Sequence, residues 1–135
     1  MSAEIAIYAV LAADSGVTDL VGTRIYPVRA LRGASLPYIT YQRISTVRRH
    51  PLDRPTDLAD ARVQVDCWAG SYAEAKTLAA AVRSALAGYR GTAGGVTVQW
   101  MGLEGEADDV EIEGGVESLT CYRVRQDWDI WWQET

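Results

Sequence analysis

The segment 71-SYAEAKTLAAAVRSALAG-88 limits the possible folds of this sequence more than any other part of it. Ser71 and Glu74 have the S-x-x-E spacing of a capping box, in which each side chain bonds a backbone N–H at the helix start. An apolar stripe follows at helical spacing, and Gly88 stands just past its end, where a left-handed residue commonly closes a helix. The stripe consists of Ala75, Leu78, Ala79, Val82 and Leu86. Because it is rich in alanine, the segment predicts a helix that packs closely against another layer.

Strand patterns precede this helix. In 60-DARVQVDCWAG-70, apolar and polar residues alternate, which is typical of a strand with one buried face. The buried face should carry Val63, Val65 and Cys67. The segment 36-LPYITYQRIS-45 has the β-branched and aromatic content of a second strand.

Two more strands are predicted after the helix, at 96–103 and 117–132. In the second of these, the even positions from Tyr122 onward are mainly apolar, so Trp128 and Trp132 should enter the core. The glycine-containing segment 89–95 predicts a flexible connection.

The N-terminal region predicts a helix with Ser2 as its N-cap, followed by a short helical turn at 17–21 and an edge strand at 25–28 that contains Pro27. The proposed apolar positions of the helix are Ile5, Tyr8, Ala9 and Ala12. Taken together, the elements predict an α+β fold: an antiparallel sheet of about five strands with two helices packed on one face. Residues 1–135 should form a single domain.

Neither composition nor hydropathy indicates a membrane protein. The longest apolar run, at residues 5–13, has nine residues, whereas a bilayer-spanning helix needs about 20. Glu4 stands where a signal peptide carries positive charge, so we expect the protein to stay in the cytoplasm or in a particle assembled there.

No combination of residues predicts catalysis, a metal site or a cofactor site. His50 is the single histidine and Pro51 follows it directly, so a solvated loop position is the simpler interpretation. Cys67 and Cys121 lie in strand-like patterns and predict buried thiols, and with His50 they have neither the number nor the spacing of zinc ligands. We therefore expect a protein that is not an enzyme and needs no cofactor.

Charge is distributed unevenly. Residues 1–100 carry 11 basic and 8 acidic side chains, whereas residues 101–135 carry 2 and 10. The sequence 104-EGEADDVEIEGG-115 predicts an acidic loop that is solvated rather than cation-binding, because it lacks the D-x-D-x-D-G arrangement of a calcium loop. Its carboxylates belong to Glu104, Glu106, Asp108, Asp109, Glu111 and Glu113.

The arginines of 45-STVRRHPLDRP-55 indicate contact with a partner more than with DNA. Arg48, Arg49 and Arg54 are offset by two nearby aspartates, which leaves a net charge of +1 from residue 46 to residue 58. Strongly salt-dependent DNA binding usually needs about 6–10 phosphate contacts, too many for one copy of this segment. Trp131 falls on the opposite strand face from Trp128 and Trp132, and an outward tryptophan suits a protein interface.

Several of these segments resemble the small tail-completion proteins, or tail terminators, of long-tailed bacteriophages, prophages and gene-transfer agents. The resemblance covers residues 3–87 and is carried by the order and spacing of "VGTRIYP", "LPYITYQ" and "VQVDCWAGSYAEA". It implies a virion tail protein without catalytic residues, which forms a ring, typically a hexamer. The implied partners are other copies of the chain, the tail tube, the head–tail connector or stopper protein, and DNA that passes through the ring without sequence-specific binding.

Within that setting the residues leave several interpretations open. Arg48, Arg49 or Arg54 could contact carboxylates of a neighbouring copy or of the tube, since arginine binds carboxylates in a bidentate manner. The acidic residues could serve as those partners or line the channel and repel DNA. Alternative functions are a head-completion or stopper protein of the connector, and a small nucleic-acid-binding module.

Overall fold

The structure is a computed structural model that describes residues 3–30, 33–48, 58–113 and 119–133. Its helices are α1 (Ala3–Ala13), α2 (Ser15–Val21) and α3 (Tyr72–Leu86). Its strands are β1 (Ile25–Pro27), β2 (Tyr38–Arg48), β3 (Leu58–Ala69), β4 (Gly91–Ala93), β5 (Val96–Glu113) and β6 (Leu119–Gln133).

The described strands form one sheet in the order β1-β2-β3-β6-β5-β4. β1 and β2 run parallel, and all other neighbours run antiparallel. The helices bury their apolar sides on one face of the sheet in a single core, where Trp128 and Trp132 are the largest fully buried side chains. None of the described helices is long and apolar enough to cross a membrane.

Helix α3 confirms the prediction for residues 71–88. The Ser71 hydroxyl accepts a hydrogen bond from the backbone N–H of Glu74 (3.2 Å), and Gly88 has a positive φ of 72°. All five residues of the predicted apolar stripe are buried. The inward positions predicted for β3 and the even positions predicted for Trp128 and Trp132 are also confirmed.

The sheet differs from its prediction in number and direction of strands: the described residues form six strands and three helices rather than about five and two. β1 is parallel to β2, with Ile25 opposite Ile39 and Pro27 opposite Tyr41, so β2 begins beside the start of β1 rather than beside its end. The Arg24 side chain stabilises this arrangement, because its Nε donates a hydrogen bond to the carbonyl of Pro37 (2.9 Å).

Two segments predicted as loops are strands. Residues 91–93 form β4, joined to β5 by Gly94 and Gly95, whose φ angles of 59° and 79° suit a two-residue hairpin turn. The predicted acidic loop at 104–115 belongs to β5 as far as Glu113, because β6 supplies a backbone partner along this length. Strand pairing outweighs the poor intrinsic strand preference of aspartate and glutamate.

The buried side of α1 is also not the predicted one. Ile5 and Tyr8 are 43% and 45% exposed, whereas Ile7 and Leu11 are fully buried. The helix is apolar on nearly all sides, so periodicity alone could not identify its buried face. Ser2 lies outside the described residues.

Candidate interaction surface

The face of the sheet opposite the helices, here called the helix-free face, carries most of the polar chemistry of the described residues. Alternate residues of β2, β3, β6 and β5 project from it in register. Arg62 lies opposite Asp129, and Asp66 lies opposite Arg125. Opposite charges at directly opposed positions stabilise an antiparallel sheet, which explains how this face can be so highly charged.

A continuous row of contacts crosses five strands of this face. The rings of Tyr26 and Tyr38 meet edge to face at 5.9 Å, and Tyr38 stacks on Trp68 at 5.9 Å. The Arg123 guanidinium lies 5.1 Å from the centre of the Trp68 ring, and its Nη2 donates to Asp109 Oδ2 at 2.7 Å. We call this row the cross-strand ladder.

A cavity of about 500 Å³ opens beside the ladder, between the sheet and residues 28–30 and 33–34. Asp66 lines it and is only 8% exposed. Burial raises the pKa of the Asp66 carboxyl, although the hydrogen bonds from Gln64 Nε2 (2.9 and 3.2 Å) and the charge of Arg123 act in the opposite direction. Val28 stands at the rim with a φ of 66°, a strained value for a β-branched residue.

The other end of the helix-free face is aromatic. Val47, Asp60, Trp131 and Trp100 lie side by side on four neighbouring strands. The Trp100 ring lies across Gly102 so closely that a Cβ there would overlap it, and Trp100 is 40% exposed. Trp131 is half-buried, and its indole N–H donates to Asp129 Oδ2 (3.0 Å).

The sequence therefore identified Trp131 as a candidate interface residue but did not identify Trp100, which is the more exposed of the two tryptophans. Trp131 lies on the predicted outward face, but part of its surface is covered. No face was predicted for Trp100, and the register shift of β5 between Val98 and Trp100 places this residue opposite Trp131. Gly102, two residues after Trp100, could have indicated this arrangement, because a residue without a Cβ leaves room for a ring against the backbone.

The predicted arginines are only partly within the described residues. Arg48 is exposed at the end of β2, opposite Ala59. Arg49, His50 and Arg54 lie outside the described residues, as does most of the proposed arm at 46–58.

Two of the predicted acidic residues, Asp108 and Asp109, have partners within the chain. Asp108 accepts hydrogen bonds from the Tyr72 hydroxyl (2.6 Å) and from Lys76 Nζ (3.1 Å), and these bonds lower the pKa of its carboxyl. Asp109 is paired with Arg123. These partners were missed because they come from α3 and β6, and only the register of the sheet brings them to β5.

The remaining acidic residues divide between contact and exposure. Glu106 Oε2 accepts a hydrogen bond from Gln126 Nε2 (2.8 Å), and Glu104 is exposed beside Asp129 and Arg62. The side chains of Glu111 and Glu113 lie outside the described part, although both residues belong to β5.

Arg48 and Asp109 lie toward opposite ends of the sheet. Arg48 pairs with Ala59 near the start of β3, whereas Asp109 lies opposite Arg123, which pairs with Trp68 near its end. At about 3.3 Å per residue, these two positions are about 30 Å apart. Arg48 and Asp109 therefore cannot contact each other within one chain.

The described residues contain no group of three His, Cys, Asp or Glu side chains placed to hold a metal ion. Cys67 is fully buried, which confirms the prediction for this thiol, and burial raises its pKa far above the ordinary range. Cys121 is only half-buried, so that part of the prediction is wrong. A thiol as inaccessible as Cys67 cannot serve as a nucleophile.

The fold and its polar face define a small α+β protein whose exposed chemistry suits contact with other macromolecules. Residues 5–132 match the family model of tail completion protein gp17, and the chain belongs to this family of phage tail proteins. The resemblance inferred from the sequence is thereby confirmed, and the family is one of structural virion proteins.

A solved structure shares the fold. A chain in the virion of a native gene transfer agent particle matches with a TM-score of 0.74 and 20% identity, covering 96% of this chain and 92% of that one. At this identity the likeness concerns the fold. No curated protein matches the sequence significantly.

Proposed function

We propose that six copies of the protein form a ring that ends the tail tube and joins it to the head connector, with DNA passing through the ring. The observation that carries this proposal is the family match, which extends over residues 5–132 and so includes every strand of the sheet. The partners would be neighbouring copies, the tube protein and the connector or stopper protein, and assembly would take place in the bacterial cytoplasm.

The shape of the charged surface supports a ring. A closed ring is built from heterologous contacts, in which each copy uses two different surfaces. Arg48 lies at one end of the sheet and the paired acidic residues lie toward the other, so each copy offers two distinct charged regions. Arg48, Arg49 and Arg54 would contact carboxylates of a neighbour or of the tube.

The negative net charge of the chain is consistent with DNA that passes through the ring without binding to it. The net charge is −5, and specific or non-specific DNA binders usually present a strongly basic surface. Carboxylates of β5 that face the lumen would repel phosphate and keep the DNA from binding.

A deletion of the gene in the particle-producing strain tests the proposal. We expect abnormally long tails without heads, because nothing would stop polymerisation of the tube, and we expect the wild-type gene in trans to restore tail length. Negative-stain images of the particles measure both outcomes, and light scattering measures the mass of the purified protein.

Other outcomes would favour the alternatives. Tails of normal length beside heads that have lost their DNA would indicate a head-completion or stopper protein. Salt-dependent DNA affinity of the purified protein, with normal particles in the deletion strain, would indicate a nucleic-acid-binding module.

A further inference from the structure

The two outermost strands of the sheet are too short to cover their neighbours. β1 pairs with β2 only at Ile39–Tyr41, and β4 pairs with β5 only at Val96–Val98. Beyond these positions, one further backbone bond joins Gly88 N–H to the carbonyl of Met101 (2.8 Å). No strand within the described residues pairs with the outer edge of β2 at 42–48 or of β5 at 102–113.

Long unpaired edges of this kind can pair with another chain, and natural proteins usually protect them with charge. Here the charges on the two edges have opposite sign. The β5 edge, which we call the acidic edge, carries Glu104, Glu106, Asp108 and Asp109, all exposed, although Asp108 and Asp109 also pair with Lys76 and Arg123 of the same chain. The β2 edge, which we call the basic edge, carries Arg43 and Arg48, also exposed.

The opposite signs select one kind of pairing. Two acidic edges repel each other, as do two basic edges, because like charges at opposed positions destabilise a sheet. An acidic edge beside a basic edge brings carboxylates and guanidinium groups together. Contacts between identical edges, which would give a closed dimer, are thus disfavoured relative to head-to-tail contacts.

The strand directions permit the same pairing. β2, β3, β6 and β5 alternate in direction, so β2 and β5 run in opposite directions within one sheet. When a second copy continues the sheet in the same orientation and is displaced along the strand direction, since the two edges lie toward opposite ends of the sheet, its basic edge lies antiparallel to the acidic edge of the first. The helix-bearing face of each copy then stays on the same side of the joined sheet.

We propose that neighbouring copies join by antiparallel pairing of the basic edge of one chain, residues 42–48, with the acidic edge of the next, within residues 102–113. This inference rests on the proposed ring function and identifies the contact that closes the ring. It makes the occupant of each edge a second copy of this chain. It also gives the carboxylates of β5 a role at the contact between subunits.

Backbone hydrogen exchange tests the pairing directly. Exchange is measured by mass spectrometry on the isolated protein and on the assembled ring, taken from purified tails if the protein alone is monomeric. We expect amides of 42–48 and 102–113 to exchange about tenfold more slowly or better in the ring, because strand pairing protects them. The central strands β3 and β6, which are paired in both states, serve as the internal reference.

The outcomes separate the two proposals. If rings form but both edges exchange as fast as in the isolated protein, the edge pairing is wrong and the ring function stands. If purified tails carry no ring of this protein, both proposals are wrong.

A charge variant tests the selection between edges. Arg43→Glu should reduce ring yield about tenfold or more, because a like-charge cost recurs at each contact of a closed ring. Arg43→Lys should assemble, since it keeps the charge. Arg90→Glu makes the same charge change at an exposed position outside both edges and should assemble like the wild type.

Thermal unfolding of each variant, compared with the wild type, shows that the fold is retained. Normal assembly of Arg43→Glu, or failure of Arg43→Lys, would overturn the role of charge complementarity. If Arg43→Glu does not fold, hydrogen exchange of the wild-type ring decides the matter alone.

Discussion

At the scale of a single residue, Asp66 shows that burying a carboxylate on the charged face lowers the stability of the folded protein when that carboxylate is ionised. Its carboxyl is almost fully buried, and burial raises its pKa more than Gln64 and Arg123 lower it. The folded protein therefore binds this proton more tightly than the unfolded chain does. It follows that the contribution of Asp66 to stability is greatest below the unfolded pKa and is lost as pH rises through the raised folded pKa.

Replacing Asp66 with asparagine tests this linkage. The amide oxygen can still accept a hydrogen bond from Gln64, but it has no charge to bury. We expect the free energy of unfolding of the wild type, relative to Asp66→Asn, to rise as the solution is made acidic and to fall toward neutral pH. Urea unfolding of both proteins over this pH range measures the difference. A difference that stays constant, or changes in the opposite direction, would show that the paired charges outweigh burial.

At the scale of secondary-structure elements, one buried side chain links α3 to the sheet. Gln126 is fully buried, its Nε2 donates to the carbonyl of Ala79 (3.0 Å) and to Glu106, and its Oε1 accepts from Trp128 Nε1 (3.1 Å). The network satisfies the indole N–H in the centre of the core. It also connects the helix, β6 and β5 through a single amide.

Gln126→Leu should therefore destabilise the fold although it makes the core more apolar. The Trp128 N–H would lose its acceptor, and an unsatisfied buried group costs about 1–3 kcal/mol. Chemical unfolding measures the free energy, and Gln99→Leu, at an exposed position of β5, is the matched control. Equal stability of Gln126→Leu and the wild type would mean that the core rearranges to satisfy or expose the indole.

The same elements show which parts of the fold the sequence could predict. α3 was predicted with its cap, stripe and closing glycine because each of these depends on residues within a few positions of one another. β5 was cut short because its acidic half is a strand only through pairing with β6, and that pairing is not local. The cross-strand ladder was out of reach for the same reason, since it needs the register of five strands.

The candidate surface was predicted in composition more than in arrangement. The arginines were predicted to contact a partner and the acidic residues either to pair with them or to line the channel, but their placement on different edges of one sheet became evident only in three dimensions. Alternation correctly placed Trp131 outside the core, whereas no face was predicted for Trp100, which a register shift in β5 places opposite Trp131.

At the scale of the whole molecule, the distribution of charge gives each copy a polarity that a ring can use. The sheet has a basic edge and an acidic edge. Arg48 is the last residue of the basic edge and also belongs to the arginine-containing segment 45–55. A contact between identical surfaces would bring like charges together instead of pairing the basic edge with the acidic edge. Head-to-tail assembly uses both signs at every contact, so its strength should depend on the arginines.

The variant Arg48→Glu with Arg49→Glu tests this dependence in the particle. We expect fewer rings and a yield of complete particles reduced about tenfold or more, because reversing both charges replaces attraction with repulsion at each contact. Gel filtration of the protein and electron microscopy of the particles measure the two effects. The control carries the same two charge changes at Arg29 and Arg90, both exposed and outside both edges and the segment 45–55. If rings and particle yield stay unchanged in the first variant, the arginines are not contact residues, and the joining surface must be sought elsewhere on the molecule, first at the exposed ring of Trp100.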